Sequence, residues 1–297
     1  MNETPFHLMI VGCGGQVGFE LAELDWRPWR VTRITRDTLE LADNSAISAL
    51  IGNTRPDMLI NAAAYTAVDR AESEADTAFK INAEAPAVMA ESMAQHGGLL
   101  IHFSTDYVFD GSASRPYRES DPVAPVSVYG ESKLAGERAI AESECDAVIL
   151  RTNWVYSWRG RNFLKTMLRL GTDHDSIRVV ADQCGTPTYA PDLARMTRDI
   201  AFILESKRDA EHLGIFHLGN AGETTWYDFA AEIFKRSGHG DICIEPIPTH
   251  EYPTPARRPL YSVLDHTRVT QAFAVNPPDW CDGLERCLKR LGPLSGQ

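Results

Sequence analysis

Cysteine chemistry has little to draw on in this sequence. The six cysteines, at 13, 145, 184, 243, 281 and 287, include no CxxC pair in 297 residues. That spacing excludes a zinc knuckle and a disulfide framework, and it leaves free thiols suited to a reducing compartment. Long apolar runs are missing too. Nothing approaches the ~20 apolar residues of a membrane span. The run Leu8–Val11 follows no basic segment and is far too short for a signal peptide, so a cytoplasmic protein is expected. Positive charge is scarce, with 29 basic against 41 acidic side chains and a formal net charge of −12. A general nucleic-acid binder needs a broad basic face to displace counterions, and an anionic membrane would repel such a chain. What the charge does not exclude is a small anionic ligand held by a few local cations.

Apolar runs at Phe6–Val11, Arg30–Ile34, Met58–Ala64, Leu99–Ser104 and Ala147–Thr152 are nearly continuous, the pattern of strands buried on both faces. Helical stretches lie between them at Gln16–Leu24, Ser45–Ile51 and Ala71–Gln95, and Pro86 is expected to kink or split the last. Repeated βα units with few hairpin signals predict an α/β fold built on a doubly wound parallel Rossmann sheet. After about residue 155 prolines punctuate shorter elements, with helices expected at Asn162–Leu170, Pro191–Glu205, Trp226–Ser237 and Cys281–Leu291. The division expected is a dinucleotide-binding domain over 1–155 and a smaller mixed α/β substrate-binding domain over 156–297, with a segment of the second able to return to the first.

The first strand runs straight into Gly12-Cys13-Gly14-Gly15-Gln16-Val17-Gly18 and then a helix. Gly12, Gly15 and Gly18 let the backbone turn tightly and approach a pyrophosphate, whose charge then sits at the helix N-terminus with Gln16 and Val17. The end of the second strand should select the dinucleotide. An acidic residue there would hydrogen-bond the ribose hydroxyls and repel a 2′-phosphate; this chain has Thr35 and Arg36 instead. A guanidinium suits phosphate, so NADPH is the expected cofactor and NADH the alternative.

Tyr129 and Lys133 stand four apart, on one face of a helix and one turn from each other. An ammonium beside a phenol is expected to lower its pKa toward working pH, giving a proton donor for a carbonyl that receives hydride. The fourth strand ends in Ser104 and Thr105, placed beyond the sheet's carboxyl edge where ligands sit, and one of the two should hydrogen-bond the substrate carbonyl.

With these motifs the chain resembles the extended short-chain dehydrogenase/reductases, and within them the dTDP-4-dehydrorhamnose reductase branch. The resemblance rests on Gly15–Gly18, Asn61–Asp69 with Ala71-Glu72-Ser73, Ser104–Gly111, Tyr129–Leu134, Arg151–Tyr156, Asp182–Thr188 and Pro253–Pro259. It implies reduction of a 4-keto-6-deoxy sugar carried on thymidine diphosphate, as the last step toward dTDP-L-rhamnose. It implies that Thr105 takes the hydroxyl role, that Tyr129 donates the proton, and that Lys133 tunes it while holding the nicotinamide ribose. Ala63, Ala64, Tyr65 and Thr66 would line the dinucleotide, with Glu40 and Leu41 near the adenine. Asp106 and Trp154 would line the sugar, the indole packing on its apolar face. Arg257 and Arg258, on a loop stiffened by Pro255 and Pro259, suit the diphosphate.

Some members of the branch join two subunits through a magnesium ion held by glutamates. Glu20 matches one such position, but Pro191 replaces another. No metal is therefore expected, and Glu20 is read as a solvated residue of the first helix. The expected partner is a nucleotide-sugar, with no nucleic acid or membrane, in a monomer or homodimer. Two rival readings remain. An epimerase or dehydratase of the same fold would return its hydride, and a regulatory relative would bind the dinucleotide without chemistry.

Overall fold

The computed structural model describes residues 5–238 and 242–292. Five strands follow the expected runs: β1 (His7–Val11), β2 (Arg30–Ile34), β3 (Met58–Asn61), β4 (Leu99–Thr105) and β5 (Asp146–Thr152). They pair in the order β5-β4-β3-β1-β2, and a sixth strand, Gly214–His217, joins beyond β5. Every pairing in this sheet is parallel. Side chains alternate between two cores. Leu8, Ile10, Met58, Ile60, Leu99, Ile101, Val148 and Leu150 face one side, while Met9, Val11, Leu59, Leu100 and Ile149 face the other. A strand covered by helices on both faces needs an apolar residue at every position, which is why the runs are unbroken.

β2 departs from that expectation. It is the edge strand, and Arg30 and Arg33 are exposed along it. The helix expected over Ala71–Gln95 is also rearranged. A short turn at Val68–Ala71 precedes a run of Ala75–Phe79, a π-helical stretch Lys80–Glu84, and Ala85–Ala94. Pro86 has no N–H to return to the Asn82 carbonyl, and the helix widens in the turn before it instead of splitting there.

The second half contributes in two places. Helix Ala190–Leu204 packs against the first helix, α1 (Gln16–Glu23), and the strand Gly214–His217 extends the sheet. The remaining helices Phe163–Asp173, Trp226–Ser237 and Trp280–Leu291 surround a separate core with Tyr156, Ile177, Phe229 and Phe234. A parallel pair, Ser176–Val180 with Cys243–Ile247, covers it. The strand Gly214–His217 and a helix at Thr267–Phe273 have no counterpart in the sequence reading. All six cysteines are free. Among the described residues, no helix is long and apolar enough to cross a membrane.

Candidate active site

The chain leaves β1 toward β2 on one side and returns through β3 on the other. Ligands of open α/β sheets bind at such a reversal, beyond the strands' carboxyl ends. A cleft of about 880 Å³ lies there, lined by Val11, Ala62, Ser104 and Thr152 from the ends of β1, β3, β4 and β5.

Three glycines of the turn do different things. Gly12 has φ +91°, and a Cβ there would sit 2.7 Å from the Ala63 nitrogen. Gly18 faces inward, because a Cβ would meet the Gly12 carbonyl oxygen at 2.1 Å. It lets α1 pack on the turn and does not line the cleft. Gly15 caps α1 without a side-chain bond, so the first N–H groups of the helix stay open to an anion. Gly12, Gly15, Gln16 and Val17 line the cleft. Gln16 Oε1 accepts from Asn162 at 2.8 Å.

Thr35, Arg36, Glu40 and Leu41 form the far end of the same cleft. Arg36 is exposed there and lies 3.5 Å from Glu40. Ala63, Ala64 and Thr66 line the wall, but Tyr65 does not. Its hydroxyl donates to Glu74 at 2.6 Å, and its backbone N–H donates to Asn82.

Tyr129 and Lys133 lie on helix Val128–Glu142, which Ser127 caps by accepting from the Gly130 N–H. Both line the cleft together with Thr105, Asp106 and Trp154. The two hydroxyls ending β4 are told apart by their partners. Ser104 donates to the buried Glu137 at 2.5 Å, whereas Thr105 donates to Asp106 Oδ1 at 3.1 Å and accepts from the Tyr107 N–H, and it lines the cleft beside Tyr129. Glu137 also pairs with Arg151 at 2.6 Å, both nearly inaccessible, which locks the helix to β5.

The expected depression of the Tyr129 pKa is not found. Burial pushes the phenol up to about 12, with the Asp106 charge adding to the rise and Thr105 opposing it. Lys133 is no counterweight because its Nζ turns to the sheet, donating to the Phe103 carbonyl at 2.7 Å and lying 3.1 Å from His102 Nε2. Burial lowers Lys133 to about 8, against the charge of Glu137. It raises Asp106 to about 7, against hydrogen bonds from Ser262 and Thr105.

Trp154 has a left-handed backbone, φ +42°, costly for a bulky residue. Its ring stacks on Trp226 with centroids 3.5 Å apart and planes 7° from parallel. Gly185 leaves room for it, since a Cβ there would meet the indole at 2.5 Å. Trp226 also lines the cleft, held by its indole N–H on Gln183 at 3.2 Å. Sequence reasoning had it only as a helix start. Its one signal is position: it follows the capping Thr225, so its side chain leaves the first turn of the helix.

Three expected roles are not met. Arg258 lies outside the cleft, donating to Asp69 at 2.8 Å and to Thr254 and Ala256. Arg257 is exposed and also outside it. The proline-stiffened loop therefore ties to the Asn61–Asp69 stretch rather than offering two free guanidiniums. Glu20 is not solvated: it is buried, accepting from the Trp158 indole at 2.7 Å and from Arg290 at 3.1 Å. Pro191 sits in the first turn of its helix, where a missing N–H costs nothing.

A glycine turn at the switch point, with a hydroxyl, a tyrosine and a lysine meeting in the same cleft, defines an oxidoreductase on a Rossmann-like sheet, of the short-chain dehydrogenase/reductase type. The model of the RmlD substrate binding domain family matches residues 6–292, and the chain belongs to that family, the dTDP-4-dehydrorhamnose reductases. It is 41% identical to the dTDP-4-dehydrorhamnose reductase of Burkholderia thailandensis, over 96% of this chain and 98% of the relative. It superposes on the dTDP-4-dehydrorhamnose reductase structure from Clostridium acetobutylicum with a TM-score of 0.90 at 37% identity, covering 96% and 99% of the two chains. The Bacillus anthracis structure, in complex with NADP, gives 0.89 at 35% identity, covering 97% and 100%.

Proposed function

We propose that this protein reduces the 4-keto group of dTDP-4-dehydro-L-rhamnose with NADPH, giving dTDP-L-rhamnose as a precursor of cell-surface polysaccharide. One observation carries the reading: Thr105, Tyr129 and Lys133 meet Trp154 in a cleft that begins at the Gly12–Val17 turn. The residues fit a dinucleotide. The Gly12 turn would be filled by a Cβ, no atom within 4 Å would meet one at Gly14, and the first turn of α1 is uncapped by any side chain. When bound, NADPH supplies the hydride.

Tyr129 supplies the proton. With its pKa held near 12 it is protonated at any working pH, yet it is a stronger acid than the sugar alcohol that forms, so transfer to the alkoxide runs downhill. Thr105 orients the phenol and hydrogen-bonds the same oxygen as charge develops there. Lys133, whose Nζ bonds the Phe103 carbonyl, would hold the nicotinamide ribose beside the wall of Ala63, Ala64 and Thr66. Arg36 faces a 2′-phosphate once it leaves Glu40. Trp154, fixed by Trp226, packs on the deoxysugar, and Asp106 borders it.

NADPH absorbance followed with dTDP-4-dehydrorhamnose tests the reading. Wild-type protein should consume NADPH, and Tyr129→Phe should turn over ~10²–10⁴-fold more slowly, the usual worth of a positioned acid. No consumption by wild type rejects the function; near-wild-type turnover by the variant rejects Tyr129 as the proton donor.

A further inference from the structure

The second half of the chain sends a loop back to the glycine turn of the first. Residues 157–162 follow the short strand Val155–Tyr156 and end at helix Phe163–Asp173, and they lie along α1. Trp158 donates its indole N–H to Glu20 at 2.7 Å. The Arg159 guanidinium sits over the Phe19 ring, 3.5 Å from its centroid. Asn162 Nδ2 donates to Gln16 Oε1 at 2.8 Å, while its Oδ1 accepts from the Lys165 N–H and caps the following helix. Gln16, Phe19 and Glu20 stand at i, i+3 and i+4, so one face of α1 receives the whole loop. Gly160 brings the loop backbone onto the same helix. Its φ is +70°, and a Cβ there would meet Gln16 Cγ at 3.4 Å.

Arg161 is the exception in this loop. Trp158, Arg159 and Asn162 are each engaged, but Arg161 is exposed, and no ion pair, side-chain hydrogen bond or ring contact holds it among the described residues. It lines the cleft together with Gly14, Gly15 and Gln16. Its anchored neighbours therefore fix it next to the start of α1, whose first N–H groups no side chain caps. A helix start offers an anion only about half a unit of positive charge. A pyrophosphate carries a full negative charge on each phosphorus, and the chain around it has a net charge of −12. A free guanidinium at this place supplies what the helix start lacks, with planar donors matched to phosphate oxygens. The other cations of the cleft are committed elsewhere: Arg36 lies beside Glu40, and Lys133 Nζ donates to the Phe103 carbonyl.

We propose that Arg161 is a cofactor-binding residue, which completes the pyrophosphate seat of the Gly12–Val17 turn from the other half of the molecule. The inference rests on the reading of this cleft as a dinucleotide site. The chemistry recognised is a diphosphate, and the nucleotide-sugar carries one as well. The contacts of Gly160 and Asn162 with Gln16, at the first position of α1, favour the cofactor's. The second half, expected to serve the sugar, then takes part in holding the dinucleotide.

The test measures binding to the full chain by titration calorimetry, with no ketosugar present and with NADPH, NADH and dTDP as separate probes. Arg161→Gln changes an exposed side chain and should leave the Tm of the unliganded protein unaltered. It should weaken NADPH and NADH by the same factor, about tenfold, because a charge-assisted hydrogen bond is lost and the pyrophosphate is common to both. Arg161→Lys keeps the charge and should recover part of that affinity, and dTDP should bind Arg161→Gln as it binds wild type. Unchanged affinity for both dinucleotides overturns the proposal. So does a loss confined to NADPH, which puts the guanidinium on the 2′-phosphate, or a loss for dTDP instead, which puts it on the substrate's diphosphate. A wild type that binds neither dinucleotide rejects the reading of the cleft together with this inference. Dinucleotide binding that depends on Arg161, without ketosugar reduction, rejects the proposed reaction alone.

Discussion

Tyr129 is protonated at neutral pH, as the proposed reaction requires, because burial rather than a neighbouring cation dominates its pKa. The same burial acts on Asp106, beside it, and leads to a measurable consequence. An unfolded aspartate ionises near 4, but in the folded chain Asp106 stays protonated up to about 7. Below about 4 both states hold the proton and no stability is lost. Between about 4 and 7 only the unfolded chain releases it, so stability falls as pH rises, by at most on the order of 4 kcal/mol. Asp106→Asn removes this cost, and its Tm relative to wild type should climb across that window. Parallel Tm curves from pH 4 to 7 would contradict the assignment. At this scale the sequence was legible where spacing alone sets geometry: Tyr129 and Lys133 had to share a helix face. The direction of Lys133 was not legible, because His102 and the Phe103 carbonyl come from a strand some thirty residues earlier. Trp226 was hidden for the same reason. Nothing local says that it will meet Trp154.

Helix Val128–Glu142 holds the reacting face by close backbone contact as well as by its buried ion pair. A Cβ on Gly136 would lie 2.1 Å from the Asn82 carbonyl oxygen, in the π-helical stretch Lys80–Glu84. Alanine gains ~1 kcal/mol over glycine in a helix interior, whereas forcing an extra methyl into a packed backbone contact costs ~1–3 kcal/mol. Because the obstructing atom is backbone, Gly136→Ala should lower Tm and weaken turnover as the helix backs away from the cleft. A variant more stable than wild type would show that the contact relaxes freely. Strands of the central sheet were readable as unbroken apolar runs, and helix Trp226–Ser237 was read with its observed bounds. The π-helical widening was not readable: Pro86 announces an interruption, but nothing local says that the helix widens before it instead of breaking. The edge position of β2 and the return of Gly214–His217 to the sheet are facts of topology, and no window of sequence contains them.

Across the whole molecule a net charge of −12 coexists with a cleft proposed above to take two anionic ligands. The cations that line it are not the set the sequence implied. Arg257 and Arg258 lie outside the cleft, and Arg36 is shared with Glu40. The cleft instead offers the uncapped start of α1, Arg36, Lys133 and the exposed Arg161. Fold and family fix a Rossmann-like oxidoreductase of the dTDP-4-dehydrorhamnose reductases. The central claim added to that is a net reduction, in which the cofactor hydride stays in the sugar. The most direct measurement uses NADPH deuterated at the transferring position with dTDP-4-dehydrorhamnose, reading the product by NMR. The account predicts one deuterium at C4 of the sugar for each NADPH oxidised. Sugar recovered without deuterium, or converted with no loss of NADPH, would contradict it.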